Sequence, residues 1–133
     1  MNKEDIELAK KARLNAYTPY THFQVGACVR CKDGSTYSGC NIENHGILTI
    51  CGERTAFVKA LSEGKKEFES ITIVGDYEGD EPLHPCVPCG YCRQFMREFV
   101  DLDFKIYVAY GNKVDEYTLK DLLPYSYDFK ERN

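Results

Sequence analysis

Two short stretches carry residues whose types and spacing permit chemistry: Cys51-Gly52-Glu53-Arg54 and Pro88-Cys89-Gly90-Tyr91-Cys92-Arg93-Gln94. The first brings together a sulfur that can bind a metal, an acid that can carry a proton and a base that can balance charge. The second holds two sulfurs at C-x-x-C spacing, which lets both side chains converge on one ion. Cys51, Cys89 and Cys92 would give zinc three thiolates and leave a fourth position for water. That is the pattern of a hydrolytic site, since structural zinc sites close all four positions.

Elements must bring these residues together. The spacing of Ala56, Phe57, Ala60 and Leu61 before Gly64 predicts a helix over 51–62, and a second helix is expected over 89–100. All three cysteines then sit at helix N-termini, where unpaired N–H groups and the macrodipole favour a thiolate. Cys89 and Cys92 share one face of a first turn, with Pro88 just outside it. Three thiolates leave a zinc ion with net negative charge, which calls for compensation. Arg54, three residues after Cys51, lies on the same helical face and can donate to the sulfurs; a solvated surface arginine is the alternative. Glu53 points to a different side of the turn and suits a proton shuttle better than a fourth ligand.

Other readings of the seven cysteines stay open. Cys86 stands three before Cys89 and can complete a closed four-cysteine site, which would make the chain a non-catalytic zinc-stabilised binding protein. Cys28 and Cys31 have zinc-ribbon spacing but fall in an expected strand, where residues three apart face opposite ways. A redox C-x-x-C would leave Cys51 and Glu53 without purpose. Cys28, Cys31 and Cys40 read most simply as small buried residues.

The rest of the chain reads as a framework. Asn2 is a plausible cap for an amphipathic helix over 2–17. Residues 23–31 and 35–40 are strand-like and joined by Asp33-Gly34, a strong hairpin signal. A loop is expected over 41–50, strands over 71–74, 104–110 and 114–119, and a short helix over 120–123. Strands alternating with helices after an initial hairpin predict an α/β fold, a three-layer α/β/α sandwich with a mixed sheet of about five strands. At 133 residues the chain, 1–133, is expected to be one domain. The net charge of −4 and the absence of a basic stripe argue against nucleic acid as partner and for a small ligand. No apolar run is long enough for a membrane span, and the N-terminal residues lack a signal-peptide core, so a cytoplasmic protein is expected.

C-x-E followed by P-C-x-x-C matches the zinc deaminase signature, with cysteine in place of the histidine ligand. Nearly the whole chain resembles the small homotetrameric cytidine deaminases. The likeness runs through Tyr17-Thr18-Pro19-Tyr20, Phe23-Gln24-Val25-Gly26-Ala27, Gly39-Cys40-Asn41-Ile42-Glu43-Asn44, Cys51-Gly52-Glu53-Arg54-Thr55-Ala56, the P-C-x-x-C segment and Leu122-Leu123-Pro124. The resemblance implies that Cys51, Cys89 and Cys92 hold catalytic zinc and that Glu53 shuttles protons. By the same resemblance Phe23 packs on the pyrimidine, Asn41 and Glu43 hydrogen-bond the ribose, and Tyr127 reaches a neighbouring subunit's site. It further implies deamination of cytidine and 2'-deoxycytidine in pyrimidine salvage by a homotetramer with sites near subunit interfaces. Two departures bear on substrate choice: the segment His45-Gly46-Ile47-Leu48-Thr49-Ile50 is one residue shorter than usual, and Gly52 replaces a common alanine. A modified cytosine nucleoside or another aminated heterocycle is the alternative substrate. His45, His84 and Cys86 are further candidates to touch the site.

Overall fold

The computed structural model describes residues 1–46, 48–81 and 84–128. Asn2 caps the first helix, its side chain accepting from the Glu4 N–H at 2.9 Å. Helix α1 (Lys3–Arg13) carries acids in its first turn and bases in its last, complementing the macrodipole. It stops short of the expected residue 17, because Tyr17 joins a β-bridge to Ile42. The Tyr17 N–H donates to Asn41 O and its carbonyl accepts from Glu43 N.

Strands β1 (Phe23–Cys31) and β2 (Thr36–Cys40) form the expected hairpin, turned by Gly34 at φ +91°. Helix α2 (Gly52–Ser62) follows the 41–50 loop. Strand β3 (Phe68–Tyr77) then pairs antiparallel to β1 from Phe23↔Tyr77 to Cys31↔Phe68. It is much longer than the β-branched run at 71–74, because small and polar ends such as Ser70, Gly75 and Asp76 gain their ladder bonds from β1. Helix α3 (Gly90–Arg97), strands β4 (Lys105–Tyr110) and β5 (Lys113–Thr118) and the short helix α4 (Leu119–Leu122) complete the framework. The sheet order is β2-β1-β3-β4-β5, with only β3 and β4 parallel.

Strand alternation sorts side chains onto two faces. On one, α1 packs Ala9 against Cys28, Val74 and Ala109. On the other, α2, α3 and α4 bury Phe57, Met96 and Leu119 against Val29, Ile71, Ile73, Ile106 and Val108. Phe57 meets Phe68, Phe95 and Phe104 at centroid separations of 5.0, 6.4 and 6.0 Å. The expected three-layer α/β/α sandwich with a five-stranded mixed sheet is what the chain forms.

Topology places the two cysteine-bearing helix starts together. A helix crossing from β3 to the parallel β4 must begin at the C-terminal end of β3. The same sheet end holds the start of β1 and the end of β2, from which the chain runs to α2. Buried Arg13 staples this end, donating to Gln24 O at 3.1 Å, Asp76 O at 3.0 Å and Tyr77 O at 2.8 Å. Among the described residues, no helix is long and apolar enough to cross a membrane.

α1 sits so close to β1 that a Cβ on Gly26 would lie 2.0 Å from Ala9 O and 2.7 Å from Arg13 N. Gly26→Ala is therefore expected to cost at least about 3 kcal/mol. Gly90→Ala, where a Cβ meets nothing within 4 Å, should change stability by less than about 1 kcal/mol. Urea unfolding of the metal-free variants checks this; equal losses would contradict it.

Candidate active site

Cys51 and Cys89 occupy the N-cap positions of α2 and α3 with extended backbone, and neither uses its side chain as a cap. Their sulfurs turn instead toward each other. Cys51 Sγ and Cys89 Sγ are 3.8 Å apart, Cys89 Sγ and Cys92 Sγ are 3.6 Å apart, and all three lie within 4.8 Å of one another. Tetrahedral zinc with bonds of about 2.3 Å needs sulfurs about 3.8 Å apart. The donor set thus fits zinc as it stands, with three soft ligands.

The other cysteines stay out of this group. Cys86 packs its sulfur against Gly75, and burial pushes its thiol up to about 12. Cys28 lies on the α1 face and Cys31 on the opposite one, so strand alternation separates the ribbon pair.

The charge distribution is uneven. A hydrogen bond from the Cys92 thiol, helped by contacts from Arg54 and Cys89, holds Cys51 down to about 5. Cys92, the donor, is pushed up by that bond and then by burial. Cys51 therefore ionises ahead of Cys92. Arg54 stands over it: Nη2 donates to Thr49 O at 3.0 Å and reaches Cys51 Sγ at 3.7 Å. The guanidinium carbon lies 4.2 Å from the centroid of the Tyr91 ring. Arg54 Nε is buried with no hydrogen-bond partner among the described residues. Glu53 is only 4% exposed. Burial, then the neighbouring Cys51 thiolate, pushes it up to about 7, while a hydrogen bond with Cys92 works in the opposite direction. A carboxyl near that value can both accept and give up a proton at neutral pH.

Beside the sulfurs, α2 presses on β1: a Cβ on Gly52 would come 3.1 Å from Val25 O. An alanine there would force a shift of a few tenths of an ångström. Asn41 zips the following loop to the start of β1, its Oδ1 accepting from Val25 N at 2.8 Å and its Nδ2 donating to Phe23 O at 2.9 Å. Glu43 pins the 18–22 turn, accepting from Tyr20 N, Thr21 N and Thr21 Oγ1; the Thr21 hydroxyl leads in holding its carboxyl below the usual range. Half-buried Phe23 meets Tyr77 edge-on at 5.1 Å. These three residues thus surround the entrance to β1, next to Gly52.

Tyr127 lies away from this group along α3, its carbonyl accepting from Gln94 Nε2 at 3.0 Å. His45 is exposed and faces the Tyr20 ring, and His84 faces Asp76, so neither joins the sulfur cluster. Ile47, in the shortened segment, falls outside the described residues. Sequence reasoning missed Thr49 and Tyr91, one contributing only a backbone carbonyl and the other a variable position of C-x-x-C. No residue-type signal marks either, since the ring of Tyr91 meets Arg54 from a different helix.

Residues 2–108 match the family model described as the cytidine and deoxycytidylate deaminase zinc-binding region. The chain belongs to this family. A cytidine deaminase of Sporosarcina psychrophila is 44% identical over 90% of this chain and 85% of its own. One from Halalkalibacterium halodurans is 43% identical over 96% of this chain and 95% of its own. The crystal structure of cytidine deaminase from Burkholderia pseudomallei superposes with a TM-score of 0.86 at 38% identity, covering 96% of this chain and 99% of that one. As a member of the family, the chain is a zinc-dependent hydrolytic deaminase.

Glu53 ties stability to pH. Its carboxyl titrates at 4.5 when unfolded and about 7 when folded. Between these values the unfolded state has released a proton that the folded state keeps, so stability falls as pH rises through this window. In metal-free protein Glu53→Gln should raise the unfolding temperature by several degrees at pH 8 and barely at pH 4, read by thermal melts in chelator. Equal shifts at both pH values would contradict the burial of a charged Glu53.

Proposed function

We propose that this chain hydrolyses cytidine and 2'-deoxycytidine to uridine and 2'-deoxyuridine with release of ammonia, as a cytoplasmic homotetramer in pyrimidine salvage. The observation that carries this reading is the buried carboxyl of Glu53 beside three sulfurs at zinc spacing. The names of the similar proteins, cytidine deaminases, support the substrate.

Cys51, Cys89 and Cys92 would hold the zinc. When bound, the metal makes a water acidic enough to attack at neutral pH. Glu53 is placed to accept a proton from the attacking water and to deliver it to N3 of the base, which would make C4 more electrophilic. As the water oxygen bonds to C4, the ring becomes tetrahedral there. Glu53 takes the remaining proton of the oxygen and hands it to the amino group, which leaves as ammonia while C4=O forms. Arg54 would offset the negative charge of the thiolates that hold the metal.

Phe23 offers its ring to the pyrimidine. Asn41 has spent its oxygen and one N–H on β1, leaving one N–H for a ribose oxygen, and the ionised Glu43 accepts from a ribose hydroxyl. The exposure of Ile42, Leu48, Ile50, Tyr91 and Tyr127 supports a further subunit covering this side, with Tyr127 reaching into the neighbour's site.

A nucleoside panel tests the reading. Zinc-loaded protein should turn over cytidine and 2'-deoxycytidine, followed by ultraviolet absorbance, well ahead of deoxycytidylate, 5-methylcytidine and adenosine. Glu53→Gln should lower kcat at least about a hundredfold. Unchanged absorbance of both cytosine nucleosides defeats the proposal, and faster turnover of 5-methylcytidine or adenosine assigns another substrate. Arg54→Ala should weaken zinc retention about tenfold or more; unchanged zinc content and rate would remove its role.

A further inference from the structure

We propose that Tyr91 is a positioning residue that clamps Arg54 over the sulfurs and thereby slows the loss of zinc. This rests on the reading of Cys51, Cys89 and Cys92 as zinc ligands. Tyr91 fills a variable position between two of them and is 66% exposed within its own chain, so no core contact of that chain calls for an aromatic residue there. What its ring does touch is the Arg54 guanidinium, at 4.2 Å from the centroid, within cation–π range.

The contact joins two halves of the site. Arg54 stands on the helix begun by Cys51, and Tyr91 on the helix begun by Cys89. Arg54 has few other restraints among the described residues: Nη2 bonds to Thr49 O and reaches Cys51 Sγ, Cys92 also lies within reach of the guanidinium, and Nε is buried with no hydrogen-bond partner. A long side chain with so few bonds loses entropy when held in one rotamer, and the ring supplies the missing restraint on its free face. By displacing water from that face, the ring also strengthens the attraction between guanidinium and thiolate. Without it the guanidinium can swing toward solvent, leaving the negative charge of the three thiolates less well balanced.

The test is a double-mutant cycle on zinc release from zinc-loaded protein to excess 4-(2-pyridylazo)resorcinol, followed by absorbance. Tyr91→Leu should release zinc about two- to five-fold faster than the unmodified chain, the span of a partly exposed cation–π contact. Tyr91→Phe, which keeps the ring, should stay close to the unmodified rate. In an Arg54→Ala background, Tyr91→Leu should add nothing further. The proposal is overturned if Tyr91→Leu has no effect, if Phe is as harmful as Leu, or if Leu accelerates release equally with and without Arg54. The last outcome also exposes any effect acting through packing or assembly. Protein that takes up no zinc overturns both this inference and the metal reading beneath it. Protein that holds zinc, shows the coupling and yet deaminates no nucleoside overturns only the proposed function.

Discussion

Three thiols crowded to within 4.8 Å cannot all ionise at neutral pH unless positive charge and aligned dipoles are brought to them. Cys51 takes a negative charge ahead of Cys92 because Cys92 donates to it and Arg54 stands over it, while Cys92 is driven the other way by the same bond. A metal dication resolves the conflict by replacing the shared protons. The surroundings follow from that need. Two helix N-termini aim at one point, an arginine spans them, and an acid is buried close enough to feel the thiolate.

The sheet makes this convergence possible. Because β3 and β4 are parallel, α3 has to start where β3 ends, and the antiparallel hairpin of β1 and β2 returns the chain to the same end before α2 begins. Arg13 fastens that end through three carbonyls. Asn41 and Glu43 fasten the connecting loop and the 18–22 turn to it. The residues assigned to the ribose therefore also build the entrance they line.

Much of this is readable from local pattern. Asp33-Gly34 marks the hairpin, Asn2 marks the first helix, and the C-x-E and P-C-x-x-C spacings mark the sulfur cluster because side-chain geometry within a first turn depends only on residue separation. Arg54 is legible for the same reason. The end of α1 is not, since a bridge to Ile42, far along the chain, takes Tyr17 out of the helix. Nor is the length of β3, whose polar ends are strand only because β1 lies beside them. The bonds that occupy Asn41 run to Val25 and Phe23, and the ring that covers Arg54 comes from another helix. Such partners meet only in the fold.

The central claim is a zinc site of three sulfurs with one position left for chemistry. X-ray absorption at the zinc edge of the zinc-loaded protein tests it most directly. The account predicts three sulfur scatterers at about 2.3 Å and one lighter neighbour at about 2.0 Å. Four sulfurs and no lighter neighbour would mean that Cys86 or another thiol closes the site, and would contradict it.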